Sequence, residues 1–330
     1  MDHETPVLVG DIGGTNARFA LARRESNHQG IRLDQIKTFP TNDHDSLQSA
    51  ALVYLNELTG KGARIEPRPR MASIAVAGPV VSDQVSMTNC PWSFCRLSLA
   101  DDLGMEQVAV LNDFEAIACA LPYFRADTLH QIGAGTIQPR GNKLVLGPGT
   151  GIGIAALTAV ADGWKVLTSE GGHVGFAPTD ELEREVLSMV NRQYPRVSVE
   201  RLISGQGFST LYQAVAMIKG KFVDVLTPQQ ITQQALDDPD GDCGQIVGMF
   251  CGILGSFAGD MAVTFNATGG VYLAGGILPR IQEFFIKSRF RERFEDKGRL
   301  KYVKEIPTMQ ILEPQPALVG GAVRLQGTYY

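Results

Sequence analysis

In the stretch VLNDFEA, Asn112 and Asp113 stand where an apolar run that reads as a strand gives way to one that reads as a helix. A carboxylate at such a junction is costly unless it is solvated, caps the helix or takes part in chemistry. Capping by Asn112 or Asp113 is one reading. In the other, Asp113 accepts the proton of a hydroxyl while Asn112 holds a neighbouring one. Phosphoryl transfer asks for such a positioned acceptor rather than a strong base. A second acid, Asp11, follows the apolar run VLVG, which ends at Gly10, and precedes Ile12, Gly13, Gly14 and Thr15. Main-chain N–H groups in a glycine turn can approach phosphate oxygens because no Cβ intervenes. A turn of the same kind returns in LGPGTGIGIAAL, at Gly149, Thr150 and Gly151. TSEGGHVGFAP places Glu170 and His173 on either side of two glycines, and SVERL places Glu200 behind Ser198. All three side chains can ligate hydroxyls. Their plainer readings are a solvated acid, a structural histidine and an acid that favours a helix dipole.

The elements around the glycines decide which phosphate device they form. A P-loop requires Gly-Lys-Ser/Thr, and neither Gly60-Lys61 nor Gly220-Lys221 continues that way. A dinucleotide fingerprint requires a helix directly after the glycines, whereas Ala17–Ala22 and the residues after Gly149 alternate like strands. A third possibility is a hairpin folded around a phosphate, with an acid at its entry to hold Mg²⁺ through water. DIGGTNARFALA aligns without gaps on LGPGTGIGIAAL, matching Gly14-Thr15 to Gly149-Thr150. Two related domains, each with one hairpin, would explain the echo, as would chance similarity of two glycine turns.

Elsewhere, Arg70–Val76 and Gln107–Leu111 read as strands and Phe114–Ala120 as a helix. Ser98, with Asp101 three residues on, has the pattern of a capping box. Leu182, Val186, Met189 and Val190 keep helical spacing behind an Asp180 cap, and Gln245–Ala262 is a long apolar helix. GGVYLAGGILP reads as strand, glycine turn and a helix starting beyond Pro279. Lys287–Lys304, dense in Arg, Lys and Glu, reads as a solvated face. The uncharged run Leu144–Ala161 contains five glycines or prolines between Gly147 and Gly153, so it reads as a buried β-hairpin rather than a membrane helix.

At 330 residues, two domains are expected. Alternating strands and helices give an α/β fold class. A net charge of -5 argues against a nucleic-acid partner. Five cysteines without a framework suit a reducing compartment. Cys90 and Cys95 have no nearby His that would make a zinc site. Asp2, His3 and Glu4 stand where a secretory signal would be basic and then apolar. A cytoplasmic protein with no membrane partner is expected.

GDIGGTNAR, GPGTGIG and LAGGILPR resemble the two phosphate motifs and the adenosine motif of the actin-like ATPase superfamily. With VLNDFEA, SEGGHVGFAP and VERLISG, the chain closely resembles bacterial glucokinase, the ATP-dependent family that phosphorylates glucose. The resemblance runs nearly end to end. It implies a two-domain actin-like ATPase (ribonuclease H-like) fold with a cleft between a small and a large domain. The small domain would be residues 1–122 completed by 313–330, and the large domain 123–312. It implies Asp113 as the base, with Asn112, Asp113, Glu170, His173 and Glu200 on glucose. ATP would meet Gly10, Asp11, Ile12, Gly13, Gly14, Thr15, Gly149, Thr150, Gly151, Gly275 and Gly276, and Mg²⁺ would lie near Asp11. A homodimer is expected from the family alone. TNCPW, Thr88–Trp92, resembles a sugar-side segment, although Trp92 has a core reading too. A neighbouring family of sugar kinases and repressors follows a similar Glu-x-Gly-His stretch with zinc-binding cysteines. Here no cysteine occurs between Cys119 and Cys243, so no structural zinc is expected at His173. The alternatives are a kinase of another hexose or amino sugar, and a non-catalytic sugar sensor.

Overall fold

A computed structural model describes residues 5–25, 30–59, 68–87 and 89–326. Asp2, His3, Glu4, Gly60, Lys61 and Thr88, singled out above, lie outside the described residues. The strands and helices follow in the order β1 (Val7–Ile12), β2 (Asn16–Arg24), β3 (Ile31–Pro40), α1 (Leu47–Thr59), β4 (Met71–Val76), β5 (Gln84–Ser86), β6 (Ser93–Cys95), α2 (Leu99–Leu103), β7 (Gln107–Asn112) and α3 (Asp113–Ala120). Then come β8 (Leu129–Ile132), β9 (Lys143–Pro148), β10 (Ile152–Val160), β11 (Gly163–Ser169), α4 (Glu181–Val190), α5 (Gly205–Ile218), α6 (Pro228–Asp237) and α7 (Asp242–Thr264). β12 (Val271–Leu273), α8 (Gln282–Lys287), α9 (Phe290–Glu295), β13 (Thr308–Ile311) and α10 (Pro316–Gln326) complete the chain.

Contacts divide the chain into two compact units. One comprises Met1–Leu129, Val160–Leu167 and Leu312–Tyr330; the other comprises His130–Ala159 and Thr168–Ile311. The first unit is built on a sheet of order β3-β2-β1-β4-β7. β1 pairs antiparallel with β2 and parallel with β4, and β4 pairs parallel with β7. Val7, Leu8 and Val9 are all buried, because the sheet is covered on both faces. One face packs Leu8, Phe19 and Ile74 against Leu47, Tyr54 and Leu99 of α1 and α2. The other packs Val7, Val9 and Ala20 against Leu318 and Ala322 of α10. Helix α10 crosses α3 so closely that a Cβ on Gly320 would overlap the Ala116 carbonyl.

The second unit carries strands in the order β10-β9-β12-β13-β8. The first four repeat the order β2-β1-β4-β7 of the other unit: β9 pairs antiparallel with β10 and parallel with β12, which pairs parallel with β13. The echo between the two glycine stretches therefore belongs to two sheets of the same order. The uncharged run at Leu144–Ala161 is the hairpin β9–β10, as its glycines imply. Helix α7 is long and apolar enough to cross a membrane by composition, but 72% of its most apolar window is buried inside the protein. It forms the centre of this unit's core, with Phe250 stacked on Phe208 at 4.2 Å between ring centroids.

Three local expectations change. Ser98 sits before α2, but in helical backbone conformation and without capping it. Its hydroxyl lies 3.3 Å from an Asp102 carboxylate oxygen instead. The helical turn after the LAGG segment begins at Leu278 rather than beyond Pro279, with the proline inside a 3-10 turn that leads to α8. Lys287–Lys304 is not a solvated face throughout. Phe290, Phe294 and Val303 are buried, and Arg293 is 7% exposed. Its guanidinium donates to both oxygens of Glu183 at 2.9 and 3.1 Å and to Ser256 Oγ at 2.9 Å. A buried ion is tolerated only with such a full set of partners.

Candidate functional site

In the first unit the glycine turn is the loop of the β1–β2 hairpin. Asp11 lies opposite Arg18 in the ladder, and their side chains form an ion pair at 3.4 Å. The turn is closed by the Gly13 N–H donating to the Asn16 carbonyl at 2.9 Å. Two residues that the sequence did not single out hold it in place. Thr41 is fully buried; its hydroxyl donates to the Gly14 carbonyl at 2.9 Å, and its N–H donates to the Thr15 carbonyl at 3.0 Å. Asn89, at φ 58°, approaches Gly14 so closely that a Cβ there would lie 2.9 Å from its carbonyl oxygen. Gly10 is a glycine for packing, since a Cβ would press on Ile74 and Phe19. Ile12 has a fully buried side chain, and its carbonyl accepts from Ala77 N. Thr15 is exposed and Gly13 and Gly14 are half-buried, so this tip is open to a ligand.

The same sheet presents the acid pair's second member. β4 and β7 are in register up to Val76 and Asn112, and α3 begins at Asp113. Asn112 is the helix cap: its Oδ1 accepts from Phe114 N at 2.9 Å and Glu115 N at 3.3 Å. The Glu115 carboxylate accepts from Asn112 N in return at 3.4 Å, which completes a capping box. Asn112 Nδ2 donates to the Gly78 carbonyl at 3.1 Å, leaving one N–H of that amide for a ligand. Asn112 completes the capping box, and one Asp113 carboxylate oxygen also accepts from Phe114 N at 2.9 Å. The Asp113 carboxyl is pushed up to about 6, first by burial and then by the negative charge of Asp11. Asp11 is itself raised by burial, against the opposing pull of Arg18.

Among the described residues no group of three or more His, Cys, Asp and Glu is placed to hold a metal ion. Two desolvated acids, with Arg18 beside one and main-chain N–H groups beside the other, do, however, suit a hard cation that retains most of its water. Asp11 fits such an ion as a ligand through water.

In the second unit, Glu170, His173 and Glu200 come together. Gly171–His173 forms a 3-10 turn directly after Glu170. Val199–Arg201 forms another behind Ser198, so Glu200 does fall in a first helical turn. The two turns are brought side by side by a bridge between Gly175 and Ser198 and by Val199 N donating to the Val174 carbonyl at 3.0 Å. His173 Nε2 lies 4.0 Å from a carboxylate oxygen of Glu170 and 4.0 Å from one of Glu200. Glu170 and His173 are exposed and Glu200 is half-buried, giving acceptors on both sides of a ring that donates or accepts.

The second glycine turn belongs to this same cluster. Glu200 accepts from Ile152 N at 2.9 Å, and Gly205 N donates to the Gly149 carbonyl at 2.8 Å. Thr150 is exposed at the tip. Behind the turn, β9 and the residues after β12 cross at van der Waals distance. A Cβ on Gly147 would overlap the Ala274 carbonyl, and one on Gly275, at φ 91°, would overlap that of Pro148. Close packing therefore explains Gly275. Gly276 is exposed, with open space where a Cβ would point. In the TNCPW segment, Trp92 is a core residue, 3% exposed, with its indole N–H on the His44 carbonyl at 3.0 Å.

Two sheets with the same order of strands around a glycine hairpin, together with a cluster of acids about a histidine, belong to a mixed α/β architecture of the sugar-kinase class. The crystal structure of a glucokinase from an Antarctic psychrotroph is similar at a TM-score of 0.88 and 37% identity, over 97% of this chain and 98% of that one. The glucokinase of Cronobacter sakazakii is 42% identical, over 97% of both chains. That of Saccharophagus degradans is 41% identical, over 97% of this chain and 98% of its own. The Glucokinase family profile matches residues 8–328, and the chain belongs to that family.

Proposed function

We propose that the protein transfers the γ-phosphoryl group of ATP to glucose, giving glucose 6-phosphate and ADP. The observation that carries this reading is Asp113: a buried acid at the head of a helix, with its carboxyl raised to about 6 although one of its oxygens accepts from Phe114 N. It is ionised at neutral pH yet basic enough to accept a hydroxyl proton. In the reaction Asp113 takes the proton of the glucose 6-hydroxyl as that oxygen bonds to the γ-phosphorus and the bond to the ADP oxygen breaks. Glu170, His173 and Glu200 hold other hydroxyls of the sugar, and the free N–H of Asn112 holds one beside the reacting group. The turns at Gly13–Thr15 and Gly149–Gly151 offer main-chain N–H groups to the phosphates, and Gly276 leaves room for the nucleoside. Mg²⁺, when bound near Asp11, neutralises charge on the phosphate chain.

Asp113 lies in the first unit, and Glu170, His173 and Glu200 lie in the second. Glucose, as a ligand of the folded state, should raise the melting temperature. A cytoplasmic homodimer completes the reading, and sedimentation checks its stoichiometry. The deciding experiment is ADP release over a panel of hexoses and amino sugars, scored by kcat/KM. Glucose should stand at the head of the panel; a higher value for another sugar reassigns the substrate, and no sugar-dependent release at all removes the enzyme.

A further inference from the structure

Building on that assignment of the sugar ligands, we infer that Glu200 is also a positioning residue for the second phosphate turn and couples glucose binding to nucleotide binding within one unit. Its two carboxylate oxygens face different partners. One lies 4.0 Å from His173 Nε2, on the sugar side. The other accepts the Ile152 N–H at 2.9 Å, at the residue that ends the Gly149–Gly151 turn. The contact leaves no slack: a Cβ on Gly151 would overlap the same Glu200 oxygen. The segment that carries Glu200 fixes the turn a second time, through Gly205 N on the Gly149 carbonyl at 2.8 Å. The other sugar segment bears on the same place, because a Cβ on Gly172 would lie 2.7 Å from the Ile152 carbonyl oxygen.

A glucose hydroxyl that engages Glu200 restricts the carboxylate, and through Ile152 it restricts the turn. The phosphates of ATP then meet donors that are already ordered, and the ordering cost falls on the first ligand to bind. Linkage makes the effect reciprocal: whatever factor glucose adds to nucleotide affinity, nucleotide adds to glucose affinity.

The test perturbs Glu200 from the nucleotide side and reads glucose binding by calorimetry with no nucleotide present. Gly151→Ala pushes the carboxylate off its position and should weaken glucose binding by about tenfold or more, the lower range for a lost charge-assisted hydrogen bond. Gly248→Ala, on α7 of the same unit, adds a methyl whose nearest neighbour is 4.0 Å away and should leave glucose binding within about twofold of wild type. Glu170→Gln reports on the sugar site itself. If Glu170→Gln weakens glucose binding and Gly151→Ala does not, the coupling is wrong and the proposed function stands. If neither changes it, the sugar site is misplaced and both readings fall. A wild-type measurement stands beside the variants: glucose alone should slow amide hydrogen exchange at Ile152, and unchanged exchange at saturating glucose overturns the coupling even if Gly151→Ala does not fold.

Discussion

In the β1–β2 hairpin the loop between the paired residues Ile12 and Ala17 is Gly13–Asn16; in the β9–β10 hairpin, between Pro148 and Ile152, it is Gly149–Gly151. The second loop is one residue shorter, so the gapless alignment of the two stretches cannot hold on both arms. A slip of one residue exchanges the faces of a strand. The first hairpin brings its own charge, with Asp11 on β1 and Arg18 opposite it on β2. The second has no acid on either strand and receives one from Glu200, 48 residues away in the chain. Their supports differ as well. Thr41 and Asn89 hold the first tip, whereas the second is held at Gly149 and Ile152 and crossed from behind at Gly147. One turn scheme thus has two electrostatic characters. The first carries an ion pair and lies near Asp113, and the second is tied to Glu200.

The largest expected effect comes from the charged side of the comparison. Asp113→Asn keeps the volume but cannot take the proton, so turnover should fall on the order of 10²–10⁴-fold while calorimetry still detects sugar and nucleotide. Activity within threefold of wild type would remove Asp113 from the role.

On the sugar side, Glu170→Gln and Glu200→Gln each replace a carboxylate acceptor by an amide. Each should cost glucose about 1.5–3 kcal/mol, seen as a raised KM for glucose with a smaller change for ATP. An unchanged KM for glucose in both variants would separate the Glu170–His173–Glu200 cluster from the sugar.

Stability distinguishes the back of the second hairpin from the tip of the first. Gly147→Ala drives a methyl into the Ala274 carbonyl and should cost about 1–3 kcal/mol by chemical denaturation. The corresponding change at Gly13, where the nearest atom to a Cβ is 3.6 Å away, should cost less than ~0.5 kcal/mol. Equal losses would mean that the two turns are supported alike.

The smallest effect is a displacement in pH. Activity needs ionised Asp113, so kcat/KM should fall below a pH of about 6. Asp11→Asn removes the neighbouring negative charge, and the acid limb of the residual activity should move to lower pH. Stability runs in the opposite sense. Folding raises the Asp113 pKa from ~3.9 to about 6, so the folded state holds the extra proton between those values. The contribution of Asp113 is therefore fully present below pH ~4 and is lost as pH rises through about 6. Asp113→Asn should then raise the melting temperature relative to wild type above pH 6 more than at pH 4, and a difference that is flat with pH would contradict the burial of this acid.

What could be read from the residues is what local chemistry controls. Glycines between two alternating apolar runs specify a hairpin, and they did so twice, because no helix tolerates that density of glycine. Asn112 and Asp113 mark a helix start because a short polar side chain there reaches main-chain N–H groups only a few residues on. Asp180 caps α4 on the same logic. That Asn112 rather than Asp113 forms the capping box was decided by β7, whose register with β4 ends at Asn112 and puts its amide on Gly78. Tertiary structure alone decided the rest. Thr41 at the first turn and Glu200 at the second carry no local pattern that marks them as supports. Arg293 looked solvated in a charged run until Glu183, 110 residues earlier, closed over it. Helical and strand periods record which side of an element turns inward, whereas the partner that waits there is set by chain crossings that no window of sequence contains. Burial then does what sequence cannot state: it gives an ordinary aspartate at position 113 a pKa near 6, because the energy of a charge depends on what surrounds it.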